Sequence, residues 1–442
     1  MLKLVPFISL LALTGTCFAE DLLNVGDFTS ALHGRFYTDQ YLYTRPASTA
    51  PSSLEQSSFS AWFEFTAHDG DFGAHAVEQM DYLVRGQTHP LTPDFEQNLR
   101  EAYLSWSAAG QDLKIGQQII PWGKSDGVNP TDYFTAKNLT LMNPDEEVKR
   151  FGAPGIHYSY TPNSGNSPIN IEAVVLAYYP QVKLLIPDAV LPMGISLQKY
   201  PEAPAPFTAS TMDYGLKFSY LRSNYDFSVS AFRGGMQYPE YILNRYNLQI
   251  YPINPKETAF GADGSFTWDS YIVRLETALH LPDNGSNTDP LFGFVEPDHW
   301  DTVVGVERPF FTDFRIQVQA LYRYHLYYRA PVFNSPNPQL NFVMAQIGQA
   351  NALLLNYQEQ SNPGATFRIS WNKEDSNWSA DFLMLGWFGS GQDYLLRPQV
   401  GYTPITNLKL QAGMDYYGGA PNTTLGALKT LSDAFFEAKY VF

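Results

Sequence analysis

Apolar and polar positions alternate along this chain with a period of two. In the last ten residues Ala434, Phe436, Ala438, Tyr440 and Phe442 fall on one face, and Phe435, Glu437, Lys439 and Val441 on the other. That spacing is the signature of a strand with one apolar side. The same pattern predicts strands near 28–38, 58–68, 71–84, 99–108, 112–120, 154–161, 169–178, 211–221 and 225–234. It continues near 259–268, 270–281, 300–309, 314–327, 364–372, 377–388, 393–403, 407–417 and 433–442. The count is eighteen, with sixteen as the alternative, and segments of about ten residues suit tilted strands that cross a bilayer.

The connections alternate as well. Tight polar turns follow the even-numbered strands, as at Asp69-Gly70, Ala109-Gly110, Arg222–Asn224 and Thr312-Asp313, whereas long Pro-, Gly-, Asn- and Asp-rich stretches follow most odd-numbered ones. Short turns on one side and long loops on the other are expected of an outer-membrane barrel. The sequence therefore predicts an all-β fold, a single transmembrane antiparallel β-barrel over residues 20–442.

Alternation also assigns faces. Phe314, Ile316, Val318, Ala320 and Tyr322 would face lipid, which turns Arg315, Gln317, Gln319 and Arg323 inward. By the same rule Arg274, Glu276, Arg368, Asp381, Arg397 and Lys409 line the interior, with Arg35, Glu64, Glu172 and Lys217. Eighteen strands enclose an aqueous space rather than a packed core. The five arginines 274, 315, 323, 368 and 397 come from strands close in sequence and could form a basic stripe that attracts anions. The competing reading of each charge is an ion pair across the wall.

Composition supports export to a membrane. Met1–Lys3, the apolar run Val5–Leu13 and the small-residue exit at Thr14–Ala19 have the layout of a cleaved signal peptide, residues 1–19. Cys17 is the chain's one cysteine, so a disulfide framework is excluded. A net charge of −16 argues against nucleic acid as a partner.

The most distinctive internal stretch runs from Pro121-Trp122-Gly123 through Ser125-Asp126-Gly127 to Asn129-Pro130-Thr131-Asp132 and on to Phe151. Trp122, Lys124, Asp126, Asn129, Asp132 and Lys137 are candidates for a constriction inside the pore; a cap outside the rim is the alternative. Together with Arg100–Leu104 and Gly116–Gln118, this stretch resembles a large, porin-like family of proteobacterial outer-membrane barrels with a Trp-Gly…Asn-Pro-x-Asp motif, whose functions are poorly characterised. The match covers this stretch and the two chain ends. It implies the barrel fold and, by the family's suspected associations, an exporter or lipid-transfer partner; it assigns no role to individual residues.

No Ser, His and Asp constellation signals catalysis, and no cofactor or metal is expected. Asp283–Asp289 looks like a calcium loop but lacks the later Glu of that pattern, and Glu296–Asp301 offers metal-ligand types that read more simply as a loop. The expectation is a passive outer-membrane channel for small hydrophilic solutes, anionic ones if the arginine stripe is unpaired, surrounded by lipid and lipopolysaccharide and inserted by the barrel-assembly machinery, with oligomerisation left open. Rival readings are a partner-dependent conduit for lipid, favoured by apolar loop stretches at Leu184–Leu191 and Tyr238–Leu243, and an outer-membrane enzyme.

Overall fold

The computed structural model describes residues 21–25, 28–43, 54–85, 93–139, 145–178, 182–183, 208, 211–244, 249–283, 297–328, 338–373, 376–389 and 391–442. Residues 1–19, Leu184–Leu191 and most of Asp283–Asp289 lie outside them, as does Glu296.

Eighteen antiparallel strands close into a barrel. They are β1 Phe28–Tyr43, β2 Leu54–Asp69, β3 Phe72–Arg85, β4 Pro93–Ala108, β5 Gln111–Gln118 and β6 Ala153–Tyr160. Next come β7 Ile169–Leu176, β8 Asp213–Leu221, β9 Tyr225–Gly235, β10 Lys256–Trp268, β11 Tyr271–Pro282 and β12 His299–Phe310. The last six are β13 Phe314–His325, β14 Ser361–Asn372, β15 Trp378–Phe388, β16 Gln392–Ile405, β17 Leu408–Gly419 and β18 Asp433–Val441. Every strand pairs with its sequence neighbours, and β18 closes on β1 from Arg35↔Val441 to Tyr43↔Asp433. Closure removes the edge that an open sheet would expose to lipid.

Two sequence expectations need correction. The stretch 39–57 is not all loop, because β1 runs on to Tyr43 and β2 starts at Leu54. Polar residues such as Asp39 and Ser58 continue the ladder there, and alternation in hydropathy ends before the hydrogen bonding does. The long connection 328–363 contains an α-helix, Pro338–Leu354, that a search for period-two patterning passes over. A short strand, Asp21–Val25, pairs with Phe28–Ala31 and occupies the part of β1 that β18 does not reach.

Burial follows the predicted alternation. Phe314, Val318 and Tyr322 on β13 are exposed on the outside while Gln317 and Gln319 are buried inside. On β18 Phe436 is exposed and Glu437 buried. The tight turns sit at one end of the barrel: at Ala109-Gly110 both residues have positive φ, 52° and 79°, the backbone that a two-residue hairpin turn requires.

The main apolar core lies inside the barrel, and not between two sheets. Trp122, Tyr133 and Phe134, from the connection between β5 and β6, pack against Val174 of β7, Phe232 of β9, Ala259 of β10 and Ala278 of β11. That connection, residues 119–152, holds a one-turn helix, α1 Glu146–Lys149, and a two-residue pairing of Ala136–Lys137 with Arg150–Phe151.

Candidate functional site

The 119–152 segment is fastened to opposite walls of the lumen. Its first half turns back on itself around one carboxylate. Glu276 of β11 is fully buried and accepts hydrogen bonds from the backbone N–H groups of Lys124 (2.9 Å), Ser125 (2.9 Å) and Thr131 (2.8 Å), and from the Thr131 hydroxyl (2.9 Å). A carboxylate satisfies several orphan N–H groups at once, as an anion-binding turn requires. Gly123 makes the approach possible: its φ is +95°, and a Cβ there would lie 2.6 Å from Glu276 Oε1.

The aromatic side chains of the segment fill the space beside this post. Trp122 meets Phe134 edge-on at 4.9 Å, and Tyr133 stacks on Phe232 at 5.0 Å and 12°. The barrel wall is cut away to receive them. A Cβ on Gly215 would strike Phe134 and Trp122, and one on Gly261 would strike the Tyr133 hydroxyl.

Polar ties complete the first half. Lys124 pairs with Asp226 and, at 3.2 Å, with Asp263. Asp126 reaches Arg368 of β14 at 3.1 Å, and Arg368 Nε holds Asp381 of β15 at 2.8 Å. The Gln319 amide, in the orientation its neighbours require, donates to the Asp126 carbonyl at 2.9 Å and accepts from the Asp126 N–H at 3.1 Å. Asn129 O accepts from Asp132 N at 3.2 Å. The Asp132 carbonyl accepts from Gln237, and burial pushes the Asp132 carboxyl up to about 6 against the pull of Thr135, Arg150 and Lys137.

The second half is tied to the far wall. Arg100 of β4 donates to the carbonyls of Glu147 (2.7 Å) and Val148 (3.0 Å) at the end of α1, where the last carbonyls of a helix lack intrahelical partners. Arg35 of β1 binds the Glu147 carboxylate at 2.9 and 3.2 Å, and Lys439 of β18 binds Asp145 at 3.2 Å. Within the segment, burial would raise the Glu146 carboxyl, but Lys149 and Lys137 beside it hold it at about 2.

The inward charges are extensively paired. Arg274 meets Glu307 at 2.6 Å, and Arg315 meets the same carboxylate at 3.3 Å. Arg323 grips Asp301 through two nitrogens, at 2.8 and 2.6 Å, and donates to Leu355 O. Arg397 grips Asp415 at 2.5 and 2.7 Å. These are ion pairs across the wall, the competing reading of the arginine stripe. Arg315 stands apart, with its side chain 68% exposed despite Glu307. Lys409 is exposed too.

Two cavities flank the segment. One, of about 630 Å³ near the short-turn end, is lined by Lys124 and Asp126 with Arg274, Glu307, Asp313, Arg315 and Arg368. The other, of about 270 Å³ toward the long loops, is lined by Asn129, Pro130, Asp132, Tyr133 and Lys137 together with His280, His299 and Arg323. Residues 124–132 thus stand between the two spaces.

Sequence reasoning gave no role to Arg100, Asp226, Asp263, Glu257 or His280. Alternation alone would have turned several of them inward, but it carries no signal for what they meet. His280, His299 and Asp301 bring metal-ligand atoms within 4.8 Å of one another. Their arrangement suits hydrogen bonding better than a cation: the rings of His280 and His299 lie parallel at 8°, so their in-plane lone pairs do not converge, and Arg323 occupies Asp301.

No protein-family model matches the chain, and a search of curated proteins finds no significant sequence relative. Solved structures share its fold over nearly the whole length. OccAB1 of Acinetobacter baumannii matches with a TM-score of 0.57 at 9% identity, covering 96% of this chain and 98% of that one. OccAB3 of the same organism gives 0.53 at 10% identity, with 95% and 100% covered. OccK5 (OpdH) of Pseudomonas aeruginosa gives 0.51 at 10%, with 93% and 98% covered.

Proposed function

We propose that the protein is a passive channel of the Gram-negative outer membrane for small hydrophilic solutes, narrowed by the 119–152 segment. One observation carries this reading: a closed barrel with an apolar outer face and many charged inward positions holds a segment pinned to both walls, with a charged cavity on the short-turn side and a second cavity of mixed apolar and polar lining on the other. Phe, Leu and Val on the outer face suit lipid, and paired Arg, Asp, Glu and Gln on the inner face suit water. The shared fold with OccAB1, OccAB3 and OccK5 fits the same reading. Residues 1–19 act in it as the export leader, the short turns face the periplasm, and lipid, lipopolysaccharide and the barrel-assembly machinery are the surroundings that such a protein meets.

Anion preference belongs to the same proposal. The larger cavity presents four cations (Lys124, Arg274, Arg315 and Arg368) against three carboxylates (Asp126, Glu307 and Asp313), and Arg315, 68% exposed, is the most exposed of the ion-paired arginines among the described residues. Pairing limits the field that the others project, so the preference is weak. A conduit for lipid or hydrophobic cargo, working with an exporter, would need a continuous open apolar inner wall. The apolar wall residues Val174, Phe232, Ala259 and Ala278 are instead covered by the segment, and the inner positions Arg397 with Asp415 and Gln411 with Gln399 form polar pairs.

Single-channel recording in a planar bilayer tests the reading. The purified protein should conduct, with a modest anion preference, and deletion of 133–148 should raise the unit conductance. An inactive barrel, or unchanged conductance in a deletion variant that still folds, overturns it.

A further inference from the structure

We propose that Glu257 and His280 form a pH-sensitive latch that holds Pro130, and with it the luminal segment, against the barrel wall. The latch rests on the channel reading for its consequence but not for its chemistry.

His280 of β11 is bonded at both ring nitrogens. Nδ1 lies 3.0 Å from Glu257 Oε2 of β10, and Nε2 lies 3.2 Å from the Pro130 carbonyl oxygen. A carbonyl oxygen only accepts, so the bond to Pro130 requires hydrogen on Nε2. Nδ1 then faces a carboxyl oxygen, and that bond needs one more proton, carried either by the ring as imidazolium or by Glu257 as a neutral acid. The site therefore closes with two protons shared between the imidazole and the carboxyl group. Taking one away leaves a ring with one N–H for two acceptors. Either the Nδ1 lone pair opposes a carboxylate in a buried place, or the ring turns its proton to Glu257 and releases Pro130.

The surrounding groups decide who balances the charge. From β12, the His299 ring lies parallel to His280 at 4.7 Å, and Asp301 lies beside it. From β13, Arg323 neutralises Asp301 through two nitrogens, and the His325 ring lies 5.8 Å from His299. From the segment, the Tyr133 ring meets His280 at 6.0 Å, and Asp132 and Lys137 line the same cavity. From β8, Asp213 lies close enough to repel Glu257, and Lys256 of β10 draws the Asp213 charge. Asp301 and Arg323 cancel, so Glu257 is the carboxyl in direct contact with His280. A second charge on His299 would face both a proton on His280 and Arg323, so the shared protons lie between His280 and Glu257.

Pro130 sits beside Thr131, whose N–H and hydroxyl bind Glu276. Release of Pro130 loosens the turn at that anchor, and the segment between the two cavities gains freedom as pH rises. The physical content is a single hydrogen bond between wall and segment, about 1 kcal/mol, or roughly a five- to tenfold change in local opening.

Backbone hydrogen exchange of the full-length protein in lipid nanodiscs tests the latch independently of conduction. Opening at the amides of Asn129, Thr131, Asp132 and Tyr133, corrected for intrinsic chemistry, is followed from about pH 5 to about pH 9. The background is Asp132→Asn, which removes the neighbouring carboxyl from the titration. The expected result is a rise of roughly five- to tenfold with pH that is absent from His280→Gln. If His280→Gln fails to fold, Glu257→Gln takes its place, because an amide can serve Nδ1 without the extra proton. A flat profile in the Asp132→Asn parent, or a step that survives either second substitution, overturns the proposal. A protein that shows the step but does not conduct sinks the channel reading and leaves the latch standing.

Discussion

Glu276 and Thr131 stand 145 positions apart in the chain, yet one carboxylate oxygen of Glu276 receives both the backbone N–H of Thr131 at 2.8 Å and its hydroxyl at 2.9 Å. The same side chain takes the N–H groups of Lys124 and Ser125 on its other oxygen. Glu276→Gln puts an amide NH₂ where an acceptor is needed, leaving buried N–H groups facing a donor. The loss should be about 2–4 kcal/mol in the seating of the segment. The barrel should still form, as heat-modifiable electrophoretic mobility reports, while current noise and mean conductance rise. Quiet traces of wild-type amplitude would show that the aromatic packing holds the segment by itself.

Gly123→Ala addresses the same turn through the backbone. A φ of +95° is strained for any side chain, and the new Cβ would lie 2.6 Å from Glu276 Oε1. The cost should be about 1–3 kcal/mol. Limited proteolysis of the assembled protein should then cut within 121–135 faster than in wild type; an unchanged digestion rate would mean that the turn relaxes freely.

The arginines should separate into two kinds. Arg397, partly buried and gripped by the buried Asp415, is a strut: Arg397→Gln leaves that carboxylate unpaired inside the wall, at a cost of about 3–5 kcal/mol, and should lower folding yield more than it moves selectivity. Arg315, with 68% of its side chain exposed, and Arg368 at the segment's edge act on solutes. Arg315→Gln with Arg368→Gln should shift reversal potentials toward cations, most visibly at low salt where screening is weakest. A shift in the Arg397 variant and none in the double variant would reverse this division.

Asp132 ties the segment to pH by a second route. Its folded carboxyl is raised to about 6 by burial, above the value of about 3.9 it would have when exposed. Between those values the seated segment binds more protons than the released one, so seating is strongest below about pH 4 and weakens as pH rises to about 6. Two units correspond to roughly 3 kcal/mol. Amide exchange in 132–135 should therefore be better protected at about pH 4 than at about pH 7 after correction for intrinsic rates, and Asp132→Asn should remove most of that difference while leaving the smaller step that belongs to His280 and Glu257. Equal protection at both values in the wild-type chain would place the carboxyl in water.

Strand number, order and facing were legible in the sequence because each follows from a local rule. Period-two alternation in Phe314–Tyr322 or Ala434–Phe442 states which side of a strand meets an apolar medium, and it needs no knowledge of the partner strand. The short-turn and long-loop sides were legible for the same reason, since turn chemistry is written in adjacent residues. What those inward charges do was not. Arg368 was assigned to the lumen by its register, but its contact with Asp126 depends on a segment 242 residues away folding back through the barrel. Pairing between Arg274 and Glu307, or between Arg323 and Asp301, depends on which rotamers meet across neighbouring strands. The helix Pro338–Leu354 escaped for a related reason: its Asn351 bonds both backbone groups of Tyr241, and such a contact sets the helix in place without leaving a period in the sequence. By itself, the sequence of this protein determined a closed barrel and the side each residue takes, because those rest on local periodicity. The tertiary structure decided how the 119–152 segment is seated, because Glu276 and His280 reach it from β11 and Arg100 from β4, and only closure of the barrel sets those two strands across the lumen from each other.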